Sequence, residues 1–456
     1  MNPEIFREYD IRGIWGTDLS PEVAFLIGRG FGTYLSKALP DRTGLRVSVG
    51  RDVRLSSPEI SENLIRGITS TGAEVIDIGS CPTPVQYFSL FHLETDGGVM
   101  ITGSHNPSEY NGFKISVGRE TIYGESLQAL KEVIRQGAFL DGRGRADSQD
   151  VLPAYKDHLK KGFQDLAGIR VVVDGGNGTA GLVVPDLLQE LGAEVIQLYC
   201  EPDGRFPNHH PDPVVAGNLI DLIRKVKESK AHLGIAYDGD SDRLGVVDAE
   251  GEIIWGDRLM IIYSRDILKE NPGATVIGEV KCSEVMYDDI RKHGGVPVMW
   301  KTGHSLIKKK MKEEKALLAG EMSGHIFFAD RYLGYDDAVY ASLRLLEILK
   351  KGGSPYHLDK LLAGLPTVFS TPEIRFDCED RIKFMVPERI REAFAGFEVD
   401  TTDGARIRFD DGWGLVRASN TQPVLVLRFE AKSEEALGRI RAAVEEKLQV
   451  ILRGLR

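Results

Sequence analysis

Cysteine is scarce in this chain. Cys81, Cys200, Cys282 and Cys378 are the four in 456 residues, scattered with no CxxC pair. That scatter excludes a disulfide framework or a Cys-based zinc site and fits a reducing compartment. No apolar run reaches the roughly 18 residues that cross a bilayer. The N-terminal MNPEIFREYDIRG carries acids and no apolar core, so a secretion signal is not expected and the cytoplasm is. Positive charge is in deficit, with 57 Lys plus Arg against 68 Asp plus Glu and a net charge of −11. That balance argues against nucleic acid and against an anionic membrane surface. Any anion must be held by a local cluster of Arg, Lys and backbone N–H groups. GxxxxGK[ST], GxSxG and HExxH are also absent, which removes a P-loop, a hydrolase nucleophile elbow and a zincin.

What the chain does have is length for roughly three domains, give or take one, and 50 glycines, many beside apolar runs. An internal repeat accounts for most of it. An apolar strand, a helical stretch and a Gly-Ala or Gly-Gly before a second strand recur three times. The copies are RVSVGRD (46–52) with TGAEVIDIG (71–79), IRVVVDGGNGT (169–179) with LGAEVIQLY (191–199), and ATVIGEV (274–280) with HGGVPVMW (293–300). A third short strand follows in each: GVMIT (98–102), HLGIAYD (232–238) and ALLAGE (316–321). Alternating strands and helices predict βαβ units with mainly parallel sheets. Ser20-Pro21-Glu22 and Ser57-Pro58-Glu59 each read as an N-cap, a first-turn Pro and an acid. From about residue 369 the pattern changes to short strands and one long helix with Ser433 as N-cap, a separate α+β domain.

Each third strand runs into a polar loop: TGSHNP (102–107), DGDSDR (238–243) and GEMSGH (320–325). Ligands of open α/β sheets bind beyond the carboxyl ends of strands, so the three loops are expected to share one cleft. Asp238, Asp240 and Asp242 alternate, which lets three carboxylates converge on a hard cation such as Mg²⁺. An EF-hand fails here, because Arg243 and Ala249 stand where Gly and Glu are needed. In GEMSGH, Glu321, Ser323 and His325 offer groups that suit sugar hydroxyls, and equally a polar turn. RASNTQP (417–423) offers Arg417, Ser419, Asn420 and Thr421 to a phosphate, and equally makes a plain hairpin turn. DGGNGTAG (174–181) matches GxGxxG, but a lone match between the first two strands of a repeat, away from the third-strand loops, is not read as a dinucleotide site.

TGSHNP, DGDSDR, GEMSGH and RASNTQP, in that order, resemble the α-D-phosphohexomutase family over essentially the whole chain, on its bacterial phosphomannomutase/phosphoglucomutase branch. The resemblance implies three related α/β domains with mixed, mainly parallel sheets and a C-terminal α+β domain closing a shared cleft. The expected units are 1–152 with a phosphoserine loop, 153–254 with a metal loop, 255–367 with a sugar loop and 368–456 with a phosphate loop. It implies reversible conversion of mannose or glucose 1-phosphate to the 6-phosphate through phospho-Ser104 and a hexose 1,6-bisphosphate. Mg²⁺ would be held by Asp238, Asp240, Asp242 and a Ser104 phosphate oxygen, with glucose 1,6-bisphosphate as activator. His105, Lys114, Arg12, Arg243 and His304 would join Ser104 in catalysis. Tyr9, Lys281, Glu321, Ser323, His325, Arg417, Ser419, Asn420 and Thr421 would bind substrate. The expected partners are hexose phosphates, and the expected state is a monomer or weak dimer. A phosphoglucosamine mutase, a sugar-phosphate phosphatase and a non-catalytic sugar-phosphate binder are the competing readings. GSHNP stands here where glucosamine enzymes usually read SASHNP.

Overall fold

The computed structural model describes residues 1–456 except Gln164, Thr421 and Arg456. One strand plan occurs three times. In each unit the first strand is central, parallel to the second on one side and to the third on the other. The third then turns back into an antiparallel fourth. In the first unit these are Arg46–Arg51, Glu74–Ser80, Gly97–Ile101 and Tyr110–Val117. In the second they are Arg170–Asp174, Glu194–Leu198, Leu233–Tyr237 and Leu244–Asp248. In the third they are Thr275–Glu279, Val296–Trp300, Leu318–Gly320 and Ile326–Phe328. The antiparallel return makes every sheet mixed. It also folds each polar loop into the turn between strands three and four. Strands such as Leu233–Tyr237 are buried at every position, as expected where helices cover both faces.

Ser20 caps its helix, accepting from Val23 N. Ser57 does not. The helix Ser57–Thr69 includes it, and its hydroxyl donates instead to the buried carboxylate of Asp52, 2.6 Å away. A fully buried carboxylate outcompetes a solvent-facing cap for that donor.

Residues 369–431 form a six-stranded antiparallel sheet. The helix Glu434–Leu455 lies on it, with Ala436 N donating to Ser433 Oγ. Ala436, Ile440, Val444 and Leu448 face the sheet in a core confined to this domain. One apolar cluster, by contrast, runs from Ile76 to Leu358 through all three α/β units. Among the described residues no helix is long and apolar enough to cross a membrane.

The glycines of DGGNGTAG serve close packing. A Cβ on Gly178 would lie 2.7 Å from Gly239 O, and one on Gly181 would lie 1.7 Å from Cys200 O. Backbone cannot yield as a flexible side chain does, so Gly181→Ala is expected to destabilise the protein by about 2 kcal/mol. Urea unfolding measures it, and an unchanged midpoint would refute the packing role.

Candidate active site

The strand Gly97–Ile101 delivers Ser104 to a tight loop where its φ is +48°, in the left-handed region. Ser104 is 2 % exposed. Its Oγ donates to Asp238 Oδ2 at 2.8 Å and lies 3.2 Å from His105 Nδ1. Burial, with the charges of Arg243 and Arg12, pushes the His105 imidazole well below its usual range. Arg12, on the adjoining strand Ile11–Ile14, donates to Asn106 Oδ1 (3.0 Å) and pairs with Asp10.

The first and second units meet at this point. Asp240 Oδ2 accepts from Thr83 Oγ1 (2.6 Å) and from Lys114 Nζ (2.9 Å), and Lys114 also contacts Asp242. Burial alone would discharge Lys114, but Asp240 and Asp242 hold it well above the usual lysine range. Burial and then the charges of Asp240 and Asp242 push the Asp238 carboxyl up. Asp240 Oδ1 and Asp242 Oδ1 are buried and meet no hydrogen-bond donor among the described residues. One oxygen from each of the three aspartates lies within 4.8 Å of the others. A buried, like-charged oxygen set with unpaired acceptors fits a hard divalent cation, so Mg²⁺ suits the residues present.

The third unit adds a histidine cluster. Arg243 Nε donates to His325 Nε2 at 3.0 Å, which leaves the ring proton on Nδ1. That Nδ1 faces Asp336 Oδ2 at 3.1 Å and Asp242 Oδ1 at 3.5 Å. Lys308 Nζ lies 3.2 Å from Asp336 Oδ1. His304 lies 3.9 Å from the same carboxylate and stacks on His325 with centroids 5.6 Å apart. Burial, then Lys308, pushes His304 well below its usual range, so it stays neutral. Glu321 Oε1 accepts from Gly303 N (2.6 Å) and its Oε2 from Ser323 Oγ (3.0 Å). This ties the GEMSGH loop to the loop that carries His304.

The last domain reaches the same cleft. Arg417 Nε donates to Asp403 Oδ2 at 3.0 Å, and Ser419 Oγ accepts from Gln422 N at 3.1 Å. Asn420 donates to the Tyr9 hydroxyl, which itself donates to Thr302 O at 2.8 Å. Tyr9 therefore joins loops of the first, third and last units. Lys281 Nζ pairs with Glu373 at 3.0 Å across the seam between the last two. Thr421 lies outside the described residues. Sequence reasoning missed Asp336, Lys308, Thr83 and the Asp52–Arg54 pair. Asp52 alone carried a signal, as a polar residue directly after a first strand.

Residues 3–140, 153–251 and 255–369 match the phosphoglucomutase/phosphomannomutase alpha/beta/alpha domains I, II and III. Residues 373–447 match the phosphoglucomutase/phosphomannomutase C-terminal domain. A phosphomannomutase/phosphoglucomutase of Pseudomonas aeruginosa is 49 % identical over 98 % of this chain and 96 % of its own. A phosphoglucomutase of Neisseria gonorrhoeae is 44 % identical over 96 % of this chain and 95 % of its own. The crystal structure of a phosphoglucomutase/phosphomannomutase family protein from Burkholderia thailandensis superposes with a TM-score of 0.91. It is 43 % identical and covers 99 % of this chain and 98 % of its own.

Proposed function

The chain belongs to the phosphoglucomutase/phosphomannomutase family, and from that premise we propose that it is a phosphohexomutase interconverting hexose 1- and 6-phosphates of glucose and mannose. The observation that carries this is the buried Ser104 Oγ, held on Asp238 of the next domain. In this reading the units 1–152, 153–254, 255–367 and 368–456 supply the phosphoserine, metal, sugar and phosphate loops in turn.

Phospho-Ser104 gives its phosphoryl group to O6 of a hexose 1-phosphate. The Ser104 O–P bond breaks, the O6–P bond forms, and the O6 proton passes to a cleft base. The 1,6-bisphosphate turns end for end, its O1–P bond breaks as the Ser104 O–P bond re-forms, O1 takes the proton back from the cleft base, and hexose 6-phosphate leaves. His304, Lys114 and Arg12 are the candidates for the proton. His304, kept neutral by burial, has a lone pair to offer, whereas Lys114 is held as an ammonium. Lys114 and Arg243 balance charge on the transferring group. Mg²⁺ on Asp238, Asp240, Asp242 and a Ser104 phosphate oxygen would stabilise the same charge. His105 and Asn106 shape the serine loop. Glu321, Ser323 and His325 bind the sugar. Arg417, Ser419, Asn420 and Thr421 hold the non-reacting phosphate, and Tyr9 and Lys281 contribute to substrate binding in the cleft. Glucose 1,6-bisphosphate serves as activator, and the protein works in the cytoplasm as a monomer or weak dimer, without nucleic acid or membrane.

The test is ³¹P NMR of glucose or mannose 1-phosphate with Mg²⁺ and a trace of glucose 1,6-bisphosphate. The 6-phosphate should accumulate. No product from either sugar overturns the proposal, and free phosphate matching sugar-phosphate loss would make the protein a phosphatase. The burial of Ser104 supports transfer over hydrolysis, since it limits access of water. Glucosamine 1-phosphate, run alongside, tests the remaining branch. Arg417→Ala is expected to raise KM for glucose 1-phosphate by about tenfold to a hundredfold, with a smaller change in kcat. An unchanged KM would remove Arg417 from the phosphate end.

A further inference from the structure

The Ser104 loop is built around a guanidinium. Arg54 and Asp52 have side chains 0 % and 1 % exposed. All five N–H donors of Arg54 are used within hydrogen-bond distance. Nη2 donates to Ser104 O (2.8 Å) and Asn106 O (2.6 Å). Nη1 donates to Pro107 O (2.5 Å) and Tyr110 O (3.0 Å), and Nε donates to Asp52 Oδ2 (3.0 Å). Asp52 completes the clasp from the other side. Its Oδ2 accepts from Thr102 Oγ1 (2.9 Å) and Gly103 N (3.2 Å), while Thr102 Oγ1 accepts from Ser104 N (2.8 Å).

The second unit seals this clasp. The ring of Phe206 sits over the guanidinium, 5.0 Å from its carbon. A Cβ on Gly204 would lie 2.3 Å from Val53 O, and a Cβ on Gly103 would lie 2.5 Å from Arg54 Cζ. The guanidinium therefore has no donor left for a ligand and no path to one.

We infer that Asp52 and Arg54 form a positioning pair that holds Ser104 in its left-handed conformation and sets its Oγ against Asp238. A non-glycine residue in that backbone region carries a steric cost. Exposed Lys230 and Lys315 take it at helix ends, whereas buried Ser104 is held there by the hydrogen bonds around it. Here the guanidinium gathers four inward-pointing carbonyls, and without it those of Ser104 and Asn106 lose the donors that hold them, while Pro107 O keeps Tyr110 N. A lysine at 54 offers one ammonium and cannot span all four. The pair acts on chemistry rather than on substrate binding, because the sugar and phosphate loops lie on other units. This rests on the reading of Ser104 as phosphoryl carrier.

The test compares Arg54→Lys and Thr102→Val with the unaltered protein, using kcat, KM, melting temperature and the intact mass after exposure to glucose 1,6-bisphosphate. Arg54→Lys should lower kcat by about 100-fold with KM within about threefold, and acquire phosphate on Ser104 more slowly. Thr102→Val should lower kcat by about tenfold in the same pattern. A purely structural role would lower melting temperature and yield but leave kcat per folded molecule unchanged. A folded, phosphorylated variant with unaltered kcat therefore overturns the inference, and Thr102→Val decides alone should Arg54→Lys not fold. Absence of phosphate on Ser104 of the unaltered protein would instead overturn the carrier reading beneath it.

Discussion

Ser104→Ala is expected to lower kcat by about 10⁴-fold or more and to remove the one phosphate from the intact-mass spectrum. The size of the effect follows from the role: without the hydroxyl there is no covalent carrier, and the direct route between the two ends of the sugar is closed. The fold should survive. The Ser104 side chain makes hydrogen-bond contacts only to Asp238 and His105 among the described residues, while its backbone is held independently by Arg54 and Thr102. A melting temperature near that of the unaltered protein, together with lost turnover, is therefore the expected pair of results. Activity within tenfold, or a phosphate that persists in the variant, would sink the carrier role.

Asp240→Asn is expected to cost about 10³-fold in kcat and to raise the Mg²⁺ concentration needed for half-maximal rate. Asp240 Oδ2 already accepts from Thr83 and Lys114, while Oδ1 is buried with no donor. An amide puts N–H groups where an acceptor is needed, opposite either a cation or the Lys114 ammonium. Stability should fall. Burial alone would raise the Asp240 carboxyl, but Lys114 and Thr83 hold it below its usual range, so the fold favours the charge that the amide removes, and only Asp242 is left to pair with the buried Lys114. Titrating the rate with Mg²⁺ and comparing melting curves separates the two effects. An unchanged Mg²⁺ dependence would take Asp240 out of the metal site.

The parts of the site that the sequence made legible are those written locally. Asp238, Asp240 and Asp242 announce themselves by alternation, whereas the turn residues around Ser104 read alone as an ordinary turn and gain meaning only as the first of three polar loops at equivalent strand ends. The threefold strand plan was visible because parallel strands covered on both faces are continuous apolar runs. What stayed hidden depends on contacts between distant segments. Arg243 meets His325 across 82 positions and Lys114 meets Asp240 across 126, distances at which spacing carries no signal. Asp336 gathers His325, His304 and Lys308, yet in sequence it is one of two acids before a helix. Ser57 was misread for a different reason, since its partner lies only five positions upstream. Its hydroxyl is claimed by Asp52, a partner no capping rule considers.

The apolar cluster from Ile76 to Leu358 has a consequence for how the molecule moves. It joins the three α/β units through shared apolar packing, although the first unit also keeps a core of its own around Phe31, Val49 and Phe113, so the loops carrying Ser104, Asp238 and His325 are set on one packed frame. The last domain keeps its interior to itself. It meets the frame through a small apolar patch of Val280, Trp413 and Leu415, with Met299 against it, and through charged pairs such as Arg406 with Glu284 and Lys281 with Glu373. Arg406 and Lys281 are themselves buried there, so this seam is held by a few enclosed charged pairs rather than by an extended apolar core. A joint with so little shared apolar surface is where relative motion of the domains is expected. In the proposed mutase reaction, a sugar bisphosphate reversing its ends would have three walls joined by apolar packing and a fourth attached mainly by charge.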